Sequence, residues 1–210
     1  MKQINGSIEL TALFATKAKA NGKSVLLIMI NQHGIYCENG KVLLKFTSFG
    51  FTPTRENDFR THLLKPLISK ADYEALTEEK RQEIKIIGDL REFKKVEGEP
   101  EHFNMIVTGQ IDLTRFEHAF KSIEGTEYLI INSENMIVGN KNGGIYLNFI
   151  AWPKKEQNQG ATHIIKQSFP KEVADSMTDE QKKAQPIIGE LRASNVARKT
   201  MDESLTNITI

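Results

Sequence analysis

The chain has 210 residues, of which 39% are hydrophobic and 26% are charged, and its formal net charge at pH 7 is only +1. This composition predicts a folded globular protein of one or two domains, and a charge so close to zero gives no global electrostatic reason to expect nucleic-acid binding. No apolar run approaches the roughly 18 residues of a membrane span. The first residues lack the apolar core of a signal peptide, and Cys37 has no second cysteine to pair with, so we expect a cytoplasmic protein without a membrane partner.

The first half of the chain opens with strand signals. In residues 8–14 (IELTALF) apolar and polar residues alternate, and residues 25–30 (VLLIMI) follow an Asn-Gly turn as a dense apolar run. A second Asn-Gly pair, at residues 39–40, predicts a hairpin that leads into residues 42–49 (VLLKFTSF). We therefore predict a β-meander of three strands, and the assignment of the short segment GIYC before the second turn stays open.

Helix signals come next. Residues 69–76 (SKADYEAL) carry helix-forming side chains after a serine, and Thr77, followed by acids, predicts the cap of a second short helix. Residues 84–93 (IKIIGDLREF) return to strand character, with a bend or bulge expected at Gly88. We expect residues 103–109 (FNMIVTG) to form the closing strand of this unit.

The second half repeats this order. Residues 109–114 (GQIDLT) match residues 6–11 (GSIELT), and residues 162–166 (THIIK) match residues 61–65 (THLLK) at an interval two residues shorter. The difference falls in a segment of loop composition, where length changes cost little. The corresponding elements are strands at 128–132, 145–152, 186–194 and 204–210, an Asn-Gly turn at 142–143, and helices that start near 170 and 178.

The order of three strands, a short helix and two strands is typical of the OB-fold. The repeat is longer than the roughly 20–50 residues of a solenoid unit, which favours the duplication of a complete small domain. We therefore predict a mainly β protein with short helices, built as two tandem OB-fold-like five-stranded Greek-key barrels at residues 1–101 and 102–210.

Three short motifs resemble the bacterial-type single-stranded-DNA-binding (SSB) family. The strand with the pattern I-x-G-x-L-R, at residues 86–91 and 187–192, resembles the fourth strand of these proteins. The opening I-x-L-T strand and a third strand that ends in an aromatic residue are also similar. The chain departs from the family in carrying two such units, and residues 202–210 (DESLTNITI) indicate a strand where the family has an acidic tail. The resemblance implies an OB-fold and non-catalytic binding of single-stranded DNA.

The third strand of each unit predicts a binding face. Its apolar alternation assigns six residues to the core, namely Val42, Leu44, Phe46, Ile145, Leu147 and Phe149. The opposite face carries rings, which stack on bases for about 1–3 kcal/mol each, and cations for phosphates. The basic segment 17–23 and the loops after the third strands add further cations. The candidate nucleic-acid-binding residues are therefore Lys17, Lys19, Lys23, Lys45, Phe49, Arg55, Tyr146, Asn148, Trp152, Lys154 and Lys155.

Several of these residues have a second interpretation that stays open. Phe49 and Trp152 fit packing in a protein interface as well as base stacking. For Lys45 a solvated surface charge is the favoured interpretation. For the recurring Arg91 and Arg192 an ion pair with a neighbouring acid is favoured over a contact with nucleic acid. The basic segment at 17–23 has a counterpart with a single lysine, so we expect unequal binding by the two halves.

Catalysis finds little support in the sequence. His62 and His163 recur without a recurring nucleophile or acid at a spacing that suggests a dyad, and no glycine-rich phosphate loop precedes a helix. The spacing of His33 and Cys37 suits two metal ligands, but the second half does not repeat it. We therefore expect no enzyme, no cofactor and no metal.

The leading hypothesis is binding of single-stranded DNA, with RNA as an open possibility, in replication, recombination or mobile-element maintenance. The alternatives are an adaptor that uses its exposed apolar strand faces for protein contacts and, more weakly, a carbohydrate-binding protein. A second copy of the chain and a replication or recombination protein are the partners left open.

Overall fold

The computed structural model describes residues 4–13, 15–32, 34–55, 58–92, 105–139, 143–155 and 160–195. In the first half the elements are β1 (Ile4–Glu9), β2 (Ala15–Ala20), β3 (Lys23–Met29), β4 (Ile35–Glu38), β5 (Lys41–Gly50), β6 (Arg60–Pro66), α1 (Lys70–Ala75), α2 (Glu78–Gln82) and β7 (Gly88–Glu92). In the second half they are β8 (Met105–Asp112), β9 (His118–Ile123), β10 (Thr126–Asn132), β11 (Ile137–Val138), β12 (Ile145–Pro153), β13 (His163–Gln167), α3 (Lys171–Ser176), α4 (Asp179–Ala184) and β14 (Gly189–Asn195). The two halves therefore have the same order of elements, and the described part of the chain is mainly β.

Eight of these strands close into one barrel. Their order is β1-β7-β6-β5-β8-β14-β13-β12, and the pairing of β12 with β1 completes the ring. All neighbours are antiparallel, and each half contributes four consecutive strands of the ring. The short strands β4 and β11 pair with β5 and β12 outside this ring.

The predicted arrangement of two separate five-stranded barrels differs from this single barrel. Each half presents two sheet edges, β1 and β5 in the first and β8 and β12 in the second, and each edge pairs with an edge of the other half. Backbone N–H and C=O groups at the edge of a sheet need hydrogen-bond partners. The pairing between the halves supplies these partners for both halves. The strand expected to close the first unit and the strand expected to open the second are one continuous element, Met105–Asp112. The closing strand predicted at 204–210 lies outside the described residues.

A second sheet of four strands has the order β2-β3-β10-β9, and its central pair again joins the two halves. Its hairpins turn at Asn21-Gly22 and Glu124-Gly125, where all four residues have positive φ. The Asn-Gly signal predicts the first of these turns. Buried residues of this sheet, including Leu26 and Leu129, belong to the same apolar cluster as the barrel interior.

The predicted core faces of β5 and β12 are confirmed, because all six residues assigned to them are buried. At the centre of the barrel the Phe46 and Phe149 ring centroids lie 6.3 Å apart. A glycine faces each ring: a Cβ on Gly6 would lie 2.0 Å from the Phe149 ring, and a Cβ on Gly109 would lie 2.3 Å from the Phe46 ring. Small and large residues thus interlock across the two seams that join the halves within the barrel.

The contacts across these seams are reciprocal. Ser7 of the first half pairs with Asn148 of the second, and Gln110 of the second half pairs with Lys45 of the first. By the internal repeat, Ser7 corresponds to Gln110 and Lys45 corresponds to Asn148. Reciprocal contacts are what a two-fold relation requires. Because the order of strands repeats after four positions around the ring, the two-fold axis runs along the barrel axis.

The helix caps follow the sequence, with one shift of position. Thr77 and Thr178 are N-caps whose hydroxyls accept backbone hydrogen bonds, as predicted, and Ser69 does the same for α1. Pro170 stands at the N-cap and not at the first helical position. Among the described residues, no helix combines the length and the apolar character needed to cross a membrane.

Two strand predictions need correction. Gly88 begins β7 without a bulge: a Cβ there would lie 2.0 Å from the Ser7 carbonyl oxygen, so the glycine permits close approach of two backbones. The irregular register lies instead in β6, between Arg60 and His62. The repeated segments at 61–65 and 162–166, for which the sequence predicts no element, lie largely in β6 and β13.

Candidate nucleic-acid interface

Two grooves on the outer surface of the barrel bring together residues from both halves. The first groove, of about 570 Å³, is lined by Ser7, Asp89, Arg91, Tyr146 and Asn148 together with neighbouring strand residues. The second groove, of about 310 Å³, is lined by Lys45, Leu67, Thr108, Gly109, Gln110, Glu190 and Arg192. Each groove combines the first and last strands of one half with the central strand of the other, so neither exists without the seam.

Hydrogen bonds hold the side chains of the first groove in place. The Ser7 hydroxyl donates to the Asn148 side-chain oxygen at 2.8 Å across the seam. The Tyr146 hydroxyl donates to the Glu9 carboxylate at 2.9 Å. Arg91 Nε donates to Asp89 Oδ1 at 2.9 Å. Tyr146 and Asn148, both predicted from the sequence, therefore lie side by side with fixed orientations.

The second groove is more highly charged. Gln110 donates to Glu190 at 3.2 Å, and Arg192 donates to the same carboxylate oxygen at 3.4 Å. Lys45 forms an ion pair with Glu38, and its ammonium lies 5.4 Å from the centroid of the Tyr36 ring. Its side chain is only 23% exposed, so the interpretation of Lys45 as a solvated charge is wrong.

The ion pairs predicted for the two recurring arginines are confirmed. Arg91 pairs with Asp89, and Arg192 pairs with Glu190, each with the acid two residues before it on the same strand. Both arginine side chains are more than half exposed. An ion pair in such a setting contributes only about 0–1 kcal/mol, so a phosphate can compete with the acid for the guanidinium.

Two of the three aromatic residues predicted on the central strands, Phe49 and Trp152, occupy equivalent positions near the ends of β5 and β12. Phe49 is 40% exposed and Trp152 is 46% exposed. The Lys65 ammonium lies 5.6 Å from the centroid of the Phe49 ring, a cation that the sequence reasoning missed. Large rings left in water beside cations are the combination that suits a stacked base and its phosphate.

Strand register connects each aromatic residue to a groove. The first row consists of laterally paired residues on five adjacent strands, in the order Phe49, Leu63, Asp89, Ser7, Asn148. The second row has the equivalent order Trp152, Ile164, Glu190, Gln110, Lys45. Side chains of paired residues point to the same face of a sheet, here the outer face, and four strand spacings make each row about 19 Å long.

Comparison of the chain with known protein families, with curated proteins and with solved structures finds no match. The function of this surface therefore has to follow from its own chemistry.

The basic segment predicted at 17–23 lies on the second sheet. Lys17 donates to the Gly143 carbonyl, and Lys23 lies 3.5 Å from the Glu117 carboxylate. Lys17 and Lys19 line a hollow that also includes Val138 of β11. Neither Lys17 nor Lys19 belongs to the lining of either groove described above.

The loop residues predicted to bind nucleic acid do not line either groove. Arg55 and Lys155 are exposed, and Lys154 is half-buried just after Trp152. Arg60, at the start of β6, is committed to Asp58, with 2.5 Å between the guanidinium and the carboxylate. Its hydrogen bonds are the main cause that lowers the pKa of Asp58 to about 2. The charge of Arg60 is therefore balanced locally.

The recurring histidines pack inside the protein. His62 and His163 are buried, and the Nδ1 of each lies within 3.0 Å of the preceding threonine hydroxyl. The histidines of the two Thr-His pairs therefore pack in the protein interior. Within the described residues, no group of three or more His, Cys, Asp or Glu side chains is arranged to hold a metal ion. His33, considered as a metal ligand, lies outside the described residues.

Proposed function

We propose that this protein binds single-stranded DNA, without catalysis, along the two rows on the outer surface of the barrel. The observation that carries the proposal is the pair of exposed rings at equivalent positions, Phe49 and Trp152. Apolar surface left in water is unfavourable, and bases that stack on such rings recover about 1–3 kcal/mol each.

The charges near the rings support the same ligand. Lys65 lies over Phe49, and Lys154 and Lys155 follow Trp152 along the chain. Arg91 and Arg192 are available to phosphates through exchange of weak ion pairs. Because Lys45, Arg91 and Arg192 already have acidic partners, we expect neutralisation of only about three or four phosphates and a slope of log K against log salt of about −2 to −3.

We further propose that the two halves are copies of one SSB-like OB unit that exchanged edge strands. The repeated order of elements and the reciprocal pairs across both seams support this origin. Exchange of an edge strand between identical units requires no new contact type, because the same strand pairs form within or between units. The resemblance to SSB proteins favours a cytoplasmic role in replication, recombination or mobile-element maintenance.

The first test uses the only tryptophan, Trp152, as an internal probe. Its fluorescence is followed while oligo-dT of increasing length is added at low and then moderate salt. We expect quenching that saturates at a defined length and weakens with salt. Phe120→Ala is the matched control, because Phe120 is an exposed ring on β9 outside both rows, and this variant should bind normally.

Absence of both quenching and a mobility shift would exclude the proposal. Equal binding of oligo-rU would widen the ligand to RNA, because stacking and phosphate contacts do not require deoxyribose. Binding that is insensitive to salt would point instead to an uncharged ligand such as a sugar.

An adaptor function is the second candidate. Ile86 and Ile187, at equivalent positions before β7 and β14, are each 50% exposed. Isolated exposed apolar residues are common, but two at related positions could anchor a symmetric partner. A protein that binds no oligonucleotide, yet loses a partner on Ile86→Ser or Ile187→Ser, would favour this function.

A further inference from the structure

The second sheet ends in two outer strands, β2 and β9, each of which pairs on one side only within the described part of the chain. The hairpin of β9 and β10 turns at two residues, so the pair Ile123 and Thr126 beside the turn is hydrogen-bonded, and so is every second pair after it. The 3.0 Å bond from the Asn132 amide to the Glu117 carbonyl continues this alternation. The intervening residues direct their backbone N–H and C=O groups away from β10, to the open edge; these residues are His118, Phe120 and Ser122.

The two outer edges carry different side chains at equivalent positions. By the internal repeat, Phe120 and Ser122 correspond to Lys17 and Lys19 of β2. The β2 hairpin has the same two-residue turn, so the backbone groups of these lysines also point to their open edge. Lysines on an edge strand oppose pairing with a further strand. The β9 edge lacks this protection at both positions, and it is therefore the edge that favours strand addition.

The side chains of β9 indicate what a further strand would carry. Phe120 pairs with the fully buried Leu129, so its ring points to the barrel side of the sheet, where it is 50% exposed. The His118 ring lies against it in a T-shaped arrangement, with the centroids 5.5 Å apart. Lys121 is exposed on the opposite face. Cross-strand pairs on each face stabilise a sheet, so an apolar residue fits beside Phe120 and an acidic residue fits beside Lys121.

Geometry excludes a second copy of the chain as the added strand. The two-fold axis passes between Leu27 and Ile130, which are equivalent by the repeat and paired at the centre of the second sheet, so this sheet is centred on the barrel axis. Antiparallel pairing of β9 with its own copy would place both barrels on one side of a continuous sheet, with their axes about four strand spacings, or about 19 Å, apart. Eight tilted strands give a backbone diameter of about 16 Å, and outward side chains raise this to about 25 Å. The two barrels would overlap, whereas a single extended segment fits.

We propose that the open edge of β9 binds an extended segment of a partner protein as an antiparallel fifth strand of the second sheet. The segment carries an apolar residue beside Phe120 and an acidic residue beside Lys121. Strand addition takes its affinity from main-chain hydrogen bonds and its specificity from alternate side chains. Since β9 lines neither groove, this inference does not depend on the proposed function.

The test uses the intact chain and a fluorescein-labelled peptide of sequence TVTVEVT. Fluorescence anisotropy gives its Kd, and amide hydrogen exchange followed by NMR locates it. We expect saturable binding with increased protection of the His118, Phe120 and Ser122 amides and no change at Lys17 and Lys19. N-methyl groups on the valines should abolish binding, because in antiparallel pairing the residues beside Phe120 direct their N–H groups to β9. N-methyl groups on the threonines and the glutamate leave the β9-facing groups intact and serve as the control.

Variants separate the backbone from the side chains. Ser122→Pro removes one edge-facing N–H but no hydrogen bond to β10, so we expect Kd to rise on the order of 10-fold. Phe120→Lys copies the β2 edge and should abolish binding. Lys19→Pro, the equivalent change on β2, is the matched control and should leave Kd unchanged.

Three results would overturn the proposal. The first is no binding of TVTVEVT to the wild-type protein. The second is equal binding by Ser122→Pro, or protection at Lys17 and Lys19 in place of β9. The third is a wild-type dimer, seen by light scattering, that Ser122→Pro converts to a monomer, because the edge would then pair with a second copy.

Discussion

Gly6 and Gly109 face the Phe149 and Phe46 rings at the two seams of the barrel. Neither glycine has a positive φ, so backbone conformation does not require a glycine at these positions. The limited space inside the barrel requires a glycine at both positions. A closed eight-stranded barrel has room for its inward-facing side chains only if small residues lie opposite large ones. These glycines therefore determine how the halves fit together.

We expect Gly109→Ala to lower the free energy of unfolding by about 1–3 kcal/mol, the usual cost of overpacking a core. The added methyl group would lie 2.3 Å from the Phe46 ring. Urea denaturation measures the change. Phe46→Leu in the same chain should relieve part of the clash, so the two substitutions together should cost less than the sum of their separate effects. Additive effects would contradict this account.

Strand β5 shows how one element serves two purposes. Its alternating residues Val42, Leu44 and Phe46 are buried, while Lys45 and Phe49 lie on the outer face with the candidate ligand site. The period of two residues in a strand separates the core face from the proposed binding face. The equivalent alternation on β12 repeats the arrangement.

Substitutions on the two faces of β5 should therefore affect different properties, stability on the inner face and oligonucleotide binding on the outer face. Phe46→Ala removes a fully buried ring and should cost about 3–5 kcal/mol of unfolding free energy. Phe49→Ala should change stability by no more than about 0.5 kcal/mol but weaken oligo-dT binding by about 1–3 kcal/mol. Thermal unfolding and anisotropy titrations on the same samples distinguish the two effects. A Phe49→Ala protein that binds normally would remove this ring from the site.

The sequence predicted some elements better than others. The strands β3, β5, β10 and β12 and the threonine caps were predictable, because alternation, Asn-Gly turns and capping residues act locally. The strands β6 and β13 were missed, because their repeated Thr-His pairs are buried and apolar and polar residues do not alternate cleanly there. The groove residues Ser7, Gln110 and Glu190 were missed for another reason: they become neighbours of Asn148 and Lys45 only through pairing between the halves.

The whole molecule is held together by three seams. β1 pairs with β12, β5 pairs with β8, and in the second sheet β3 pairs with β10. Side chains reinforce these pairings: the buried Ser48 hydroxyl accepts a hydrogen bond from the Val107 amide at 2.9 Å, and the Thr11 hydroxyl accepts one from the Ile145 amide at 3.1 Å. Each half alone would expose several strand edges and much of the shared core.

We therefore expect residues 1–101 and 102–210, produced as separate chains in one cell, to purify together as a 1:1 complex. Either half produced alone should self-associate, because its open edges need partners. Size-exclusion chromatography with light scattering measures both results. A half that is a well-folded monomer would show that the seams are dispensable and would favour two independent barrels.

The internal repeat, the buried faces of the central strands and the turns can all be read from the amino-acid sequence, because each depends on residues close together in the chain. The choice of strand partners cannot be read from the amino-acid sequence. Alternation indicates which face of a strand is buried, but backbone hydrogen bonds are nearly independent of side-chain identity, so a strand edge is equally able to close its own unit or to join the other. The tertiary structure resolves this choice in favour of pairing between the halves, and this pairing forms one barrel with two equivalent grooves.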